Sequence, residues 1–475
     1  GFIGCGYKNR SPWKGDLTDI IVYSRARPDA ERQAVERYLK KKYGIAKWRG
    51  SHTKPQRHED SNIFLASSCV NDPSGRQSSV EALMRYLRKI RPLFLSLGLI
   101  FVLTTVSVSA DRPNIILCMG DDHGWDETAY NGHPHLKTPV LDEMAATGLR
   151  LDHFYSAHPS CSPTRGSVIT GRHPNRYGTL APNWSIRPEE ISVARILGDA
   201  GYSCGHFGKW HLGPVKTNSP TSPGAFGFDE WLSHDNFFEM DPVLSRNGAA
   251  PKKISGEGSL VIIDETIRFI VEAQKQDKPF FAVVWFGSPH EPYSGLPEDL
   301  ALYDDLPASY RERTVKLTSN ETGKPVTRRF DKVLRERFAE ITAMDRSIGK
   351  LREYLKSEGL KQNTLLWYCG DNGVPASGRV ATPFRGQKGL VYEGGIRVPG
   401  VIEWPERIPK PAISAVNSVT SDMLPTICDL IGKPLPKRPL DGVSLKPLFD
   451  GEMTSRAKPI CFWNYDTAHE LKRTD

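Results

Sequence analysis

Two short apolar runs, each passing through glycine into a pair of oxygen-bearing side chains, constrain this chain more than any other feature. Ile115-Ile116-Leu117-Cys118-Met119 leads through Gly120 into Asp121-Asp122, and Leu365-Leu366-Trp367-Tyr368-Cys369 leads through Gly370 into Asp371-Asn372. Runs of this length suit strands buried on both faces, as in a parallel sheet covered by helices. Helical stretches near 138–147 and 191–200, and another strand near 280–286, alternate with them. The alternation predicts an α/β fold with a central, largely parallel sheet flanked by helices. Functional groups in such folds gather beyond the C-terminal ends of the strands, and both acid pairs fall there. Two adjacent acids before a glycine are, taken alone, more often a solvated turn. Taken together, three carboxylates and an amide oxygen form a hard oxygen cage that favours Ca2+, with Mg2+ next, over zinc or copper.

Residues 161–172, Cys-Ser-Pro-Thr-Arg-Gly-Ser-Val-Ile-Thr-Gly-Arg, read as a helix entrance with a nucleophile candidate at its mouth. Pro163 suits the first helical position, and Gly171 suits the left-handed stop. Cys161 then sits just before a helix N-terminus, where free N–H groups favour an anion. Arg165 lies one turn inside, within pairing range of that anion. By itself, a cysteine at such a place is more often a buried structural thiol.

Three further stretches carry chemistry-bearing side chains. Gly208-Lys209-Trp210-His211-Leu212-Gly213 puts Lys209 and His211 on one face if extended. The strand from Phe280 runs into Ser288-Pro289-His290-Glu291-Pro292, and a glycine-rich loop over 385–399 carries Lys388. In isolation each has a plain reading: an exposed lysine beside a packed histidine, a loop histidine, a turn.

The string Cys161-x-Pro163-x-Arg165, followed by Thr170-Gly171-Arg172, resembles the maturation motif of the type I sulfatases. These are formylglycine-dependent arylsulfatases of the alkaline-phosphatase-like superfamily. The other motifs, spread over 112–448, match that family in order and content. The resemblance implies that Cys161 is converted to formylglycine by a separate formylglycine-generating enzyme. It also implies that Asp121, Asp122, Asp371 and Asn372, with residue 161, hold a divalent ion, Ca2+ or Mg2+. Arg165, Lys209, His211, His290 and Lys388 would then surround a sulfate group. In that family the histidine matching His211 helps deprotonate the hydrate, and the one matching His290 binds sulfate and serves leaving-group protonation. The expected function is sulfate ester hydrolysis, with a sulfated carbohydrate favoured as substrate. The rivals are a phosphonate or phosphate ester hydrolase of the same superfamily and a catalytically inert carbohydrate-interacting protein. Zinc phosphatases have Asp-His where this chain has Asp371-Asn372.

The rest of the chain sets the frame. Residues 1–45 resemble the last strand and helix of a laminin-G/concanavalin-like domain, too little to bury a core. Residues 46–83 are polar and aperiodic, as in a linker or disordered segment. Residues 84–110 have a basic start, an apolar centre and small residues before Asp111, the layout of a secretory signal peptide. On that reading Met84 is the true start and 1–83 are upstream sequence. The competing reading is a membrane anchor retained over 92–110. Either way, residues 111–475 form the catalytic domain on the exported, periplasmic or secreted side. Relatives of this family continue into a small C-terminal subdomain, so the resemblance implies that most of it is missing beyond Asp475.

The net charge of +8 fits an anionic substrate or surface, but no nucleic-acid motif stands out, so no such partner is expected. Eight cysteines show no Cys-x-x-Cys pairing. The aromatic stretch 227–238 has two readings, sugar stacking and core packing. His123 stands where the family often has a small or apolar residue, a change expected to alter the site entrance but not the ligands.

Overall fold

The structure, a computed structural model, describes residues 112–319, 322, 324–460 and 462–465. The readings of 1–45, 46–83 and 84–110 lie outside the described residues. Within them, no helix is long and apolar enough to cross a membrane.

Ten strands make the main sheet: β1 (Asn114–Gly120), β2 (Leu149–Leu151), β3 (Ser203–Lys209), β4 (Glu230–His234), β5 (Val243–Arg246), β6 (Lys252–Lys253), β7 (Phe280–Trp285), β8 (Thr364–Gly370), β9 (Gly400–Glu403) and β10 (Ala412–Ser414). Their order is β10-β2-β9-β8-β1-β7-β3-β4-β5-β6. The central five, β8-β1-β7-β3-β4, are all parallel. Antiparallel strands flank them: β9 on β8, β2 on β9, β5 on β4 and β6 on β5.

The helices that cover the sheet include α1 (Pro139–Thr147), α2 (Cys161–Thr170), α3 (Val193–Gly198), α4 (Gly258–Lys275), α5 (Phe330–Ser357) and α6 (Met423–Leu430). Alternation along β1 divides the core in two. Ile115, Leu117 and Met119 share one cluster with Val168, Ile169, Leu197 and Ile427 of α2, α3 and α6. Ile116 and Cys118 share the other with Leu141, Ile262, Ile270, Met344 and Ile348 of α1, α4 and α5. The run is apolar at every position because both faces are covered, each such side chain contributing about 1.5–3 kcal/mol. This is the α/β architecture that the alternation implies.

One boundary differs in a way that matters. Helix α2 starts at Cys161, with Ser160 as its extended cap, so Cys161 is its first residue and Pro163 its third. No N–H of the first turn has an intrahelical partner, so proline is tolerated there at more than the opening position. Gly171 does end the helix in the left-handed region, at φ 68°. All ten residues of α2 are buried although few are apolar. Its hydroxyls bond locally instead: Thr164 Oγ1 donates to His158 O (2.8 Å) and Thr170 Oγ1 to Gly166 O (2.7 Å).

Candidate active site

The register of the sheet builds the floor of the site. Gly120 pairs with Gly370 across β1 and β8, so the two acid pairs leave the sheet side by side. Asp371 N donates to Gly120 O (3.1 Å), and Asp122 N donates to Asp371 Oδ1 (2.8 Å). A Cβ at Gly370 would lie 1.9 Å from His123 O, so only glycine lets the two turns approach. Asn372 Nδ2 donates to Asp122 Oδ1 (2.8 Å).

Helix α2 presents Cys161 and Arg165 to this floor. Arg165 Nη2 lies 2.8 Å from Asp371 Oδ2 and 3.6 Å from Asp121 Oδ1, while Nη1 donates to Lys209 O (3.1 Å). Lys209, the last residue of β3, places Nζ 2.5 Å from Asp121 Oδ2. The side chains of Arg165, Lys209, Asp121 and Asp371 are fully buried. Lys388 reaches in from the glycine-rich loop, with Nζ 2.7 Å from the Asp122 carboxylate. His290 brings Nε2 to 3.8 Å from Asp122 Oδ2, while its Nδ1 donates to Glu291 O. The structure therefore gathers Cys161, Arg165, Lys209, Lys388, His290 and both acid pairs into one pocket.

Burial opposes ionisation of Asp121, but Lys209, His290, Arg165 and Lys388 outweigh it and hold its carboxyl well below the usual range. Asp122 is also lowered, against burial, chiefly by Lys388 and His290. Asp371 goes the other way: burial and the neighbouring Asp121 push it up to about 7. Burial and Lys388 push His290 down to about 4. Burial raises the Cys161 thiol above its ordinary value, so as a plain cysteine it is a poor nucleophile here.

The residues fit a divalent cation. Donor atoms of Asp121, Cys161 and Asp371 lie within 4.8 Å of one another, and so do those of Asp121, Asp122 and His290. Asp121 Oδ1 and Asn372 Oδ1 are buried without a hydrogen-bond partner. Oxygen donors of this kind suit Ca2+ or Mg2+.

Some sequence expectations need correction. Lys209 and His211 do not share an extended face, because the strand ends at Lys209 and His211 has a left-handed φ of 56°. His211 N donates to Asp235 O (3.1 Å), and the ring turns so that Nε2 lies 2.8 Å from Asn183 Oδ1. His123 is not at the entrance: it is fully buried, with Nδ1 2.6 Å from Tyr368 Oη and Nε2 2.6 Å from Glu127 O. The aromatic stretch 227–238 is mostly core, with Phe228, Trp231 and Phe238 buried. Phe237 alone of these stacks on a site residue, 5.1 Å from the His290 ring and 11° from parallel.

Sequence reasoning missed Arg337 and Glu127. Arg337, on α5, forms a two-bond pair with Glu127, Nε to Oε1 and Nη2 to Oε2, both 2.6 Å. It also donates to the carbonyls of Asp122 (2.7 Å) and Pro289, steadying the first acid pair and the residue before His290. The available signal was an arginine on the otherwise apolar stripe Val333, Leu334, Phe338, Ile341. Asn183 was missed too, and nothing in its polar loop marks it.

Fold and site together define an α/β enzyme in which two adjacent parallel strands each deliver an acid pair to a cysteine-headed helix. The family described as Sulfatase matches residues 113–433. N-acetylgalactosamine-6-sulfatase of Canis lupus familiaris is 29% identical over 418 residues, covering 78% of this chain and 72% of the relative. Human arylsulfatase A is 30% identical over 404 residues, covering 77% and 73%. Among solved structures, Ps i-CgsB in complex with k-i-k-neocarrahexaose superposes with a TM-score of 0.64 at 26% identity, over 74% of this chain and 79% of that one. The chain belongs to the sulfatase family, and its reaction is the hydrolysis of sulfate esters.

Proposed function

We propose that the protein removes sulfate from a sulfated carbohydrate, using a formylglycine formed at Cys161 and a divalent cation, Ca2+ or Mg2+. The observation that carries this reading is the convergence of Arg165, Lys209 and Lys388 with three carboxylates around the head of α2. A sulfate monoester carries one negative charge, and more develops on the leaving oxygen as the ester breaks. Fixed cationic donors in a buried pocket stabilise such charge without reorganising. A hydrated aldehyde at position 161 supplies two hydroxyls on one carbon, one to attack sulfur and one whose deprotonation releases the product. Asp121, Asp122, Asp371 and Asn372 would hold the cation, which supplies further positive charge beside the sulfate.

The chain's own side chains divide the remaining work. Lys209 and Lys388 hold sulfate oxygens, and Arg165 keeps the head of α2 against the acid pairs. His290, whose Nε2 lies beside Asp122, would serve protonation of the ester oxygen. A bound anion offsets the effect of Lys388 on that ring and favours its protonated form. His211 is the base for product release. A carbohydrate substrate is supported by the relatives, one acting on N-acetylgalactosamine-6-sulfate by name and one solved with a neocarrahexaose. We place the enzyme outside the cytoplasm on the reading of 84–110 as a signal, with the formylglycine-generating enzyme as its partner in maturation.

Coexpression with that maturation enzyme, followed by assay on aryl sulfate and on aryl phosphate and phosphonate esters, tests the proposal. Sulfate turnover that disappears in Cys161→Ala supports it. Faster turnover of the phosphorus esters would give the site to the rival hydrolase, and no turnover of any ester in the aldehyde-bearing protein would make it inert.

A further inference from the structure

His211 is held in an unusual way for a pocket histidine. Its backbone is left-handed at φ 56° and its N–H is tied to Asp235 O, so the ring cannot follow the direction of β3. One ring nitrogen, Nε2, faces Asn183 Oδ1 at 2.8 Å. The other, Nδ1, is buried and has no hydrogen-bond partner.

Asn183 is itself fixed from several sides. It is left-handed at φ 66°, a conformation asparagine tolerates better than most residues. Its backbone N–H donates to Ser162 Oγ (3.1 Å), one residue along α2 from Cys161. Three residues on, Ile186 N donates to Leu212 O (2.9 Å), which ties the same loop to the chain just past His211. The same oxygen, Asn183 Oδ1, also lies 3.5 Å from Asn236 Nδ2, so it faces two nitrogens. An oxygen meeting Nε2 accepts, so Nε2 must carry the proton. Nδ1 is then a bare, buried lone pair.

We propose that Asn183 is a positioning residue that fixes the tautomer of His211, keeping the proton on Nε2 and making Nδ1 the proton acceptor of the pocket. The inference rests on His211 being the base for sulfate release in the proposed function, and assigns the nitrogen that does it. The step is a single proton transfer: a hydroxyl hydrogen passes to Nδ1, and its O–H electron pair becomes the carbonyl bond that expels sulfate. Burial, then the charges of Lys209, Arg165 and His290, favours the neutral ring, and Asp121 opposes them. Without Asn183, neither nitrogen has a fixed partner and the ring divides between tautomers. Only one of them presents a lone pair at Nδ1.

Two measurements test this, one of them independent of turnover. Long-range proton–nitrogen NMR of protein labelled with 15N-histidine, assigned by the signal lost in His211→Gln, reports the tautomer directly. The wild type should show the Nε2–H form, and Asn183→Ala a mixture. A wild-type Nδ1–H form, or an unchanged spectrum in Asn183→Ala, overturns the inference even if the enzyme is active. The second measurement is kinetic, on aldehyde-bearing enzyme with nitrophenyl sulfate. Asn183→Ala should lower kcat several-fold and kcat/KM much less, with a burst of phenolate ahead of slower steady release. Asn183→Asp, whose carboxylate also accepts from Nε2, should restore kcat and move the acid limb of its pH profile upward.

Equal losses in kcat and kcat/KM with no burst would mean that Asn183 merely supports the loop. If Asn183→Asp behaves as Asn183→Ala, the inference also fails. If the wild-type spectrum is as expected but no sulfate ester is turned over, the tautomer stands while the proposed function and the role of Nδ1 in it fall.

Discussion

Two networks of buried charge lie within a few residues of each other, and they are finished differently. Around Arg337 every valence is closed: both fork nitrogens meet Glu127, and the remaining donors go to Asp122 O, Pro289 O and Tyr293 Oη. Around Cys161, Asp121 Oδ1, Asn372 Oδ1, His211 Nδ1 and Arg165 Nε are all buried and unpartnered. An unpartnered buried polar atom costs about 1–3 kcal/mol, so a protein carries several together only where something else completes them. The closed network supports the fold beneath the site, and the open one is where the proposed cation and the sulfate would bind. Variants in the open network should therefore remove activity and spare stability, and variants in the closed one should do the reverse.

The largest expected effect comes from withdrawing the cation. Chelation should abolish aryl sulfate turnover, with Ca2+ or Mg2+ restoring it, and calorimetry should show one bound ion that Asp121→Asn cannot hold. Turnover that survives exhaustive chelation would leave the orphaned oxygens unexplained. Next in size is Lys388→Ala. The side chain is 23% exposed, so water can reach Asp122 when it is gone. The rate should fall roughly a hundred- to a thousand-fold, with little change in the thermal midpoint.

Arg337→Met tests the other side of the comparison. It strands the Glu127 carboxylate, which is 2% exposed, with no counter-charge. Breaking a buried pair in this way costs about 3–5 kcal/mol, read as a lower urea midpoint. Adding Glu127→Gln should recover part of the loss. The rate per folded molecule should fall far less than in Lys388→Ala. If Arg337→Met kills activity while leaving the midpoint unchanged, the division between the two networks is wrong.

The open network was largely legible in the sequence, for a physical reason. Each part of it is a contiguous string at the end of a strand or the start of a helix, and a parallel sheet brings such ends to one edge. Asp121-Asp122 and Asp371-Asn372 could be placed together without knowing their register, which the Gly120–Gly370 pairing then supplied. The closed network was not legible, because Arg337 and Glu127 are separated by 210 positions and sit in no shared pattern. Local conformation also escaped. Proline tolerance across the first turn hid the true start of α2, and the left-handed turn at His211 broke the two-residue alternation that placed it beside Lys209. Phe237 could not be told from its core neighbours Phe228 and Trp231, since stacking on His290 leaves no mark on composition.

His133 sharpens the comparison at its weakest point, because it has an open valence outside the pocket. Its Nε2 is buried and unpartnered, like the pocket atoms. Its Nδ1, however, accepts N–H bonds from His135 (3.2 Å) and Leu136 (3.0 Å), and its ring lies 5.1 Å from that of Phe338. A nitrogen accepting two bonds cannot carry a proton, and burial pushes the ring's pKa down to about 3. The unfolded chain binds a proton at this residue near pH 6.5, whereas the folded chain does not until about 3. Stability from this group is thus fully present above 6.5 and is lost as pH falls through that window, by at most about 1.4 kcal/mol per pH unit. Urea midpoints measured from pH 7 down to 4 should fall less steeply in His133→Gln than in the wild type, while the pH profile of sulfate turnover keeps its shape. Parallel slopes for the two proteins would show that His133 takes its proton while folded. An open valence buried among rings would then be as able to accept a partner as one in the pocket.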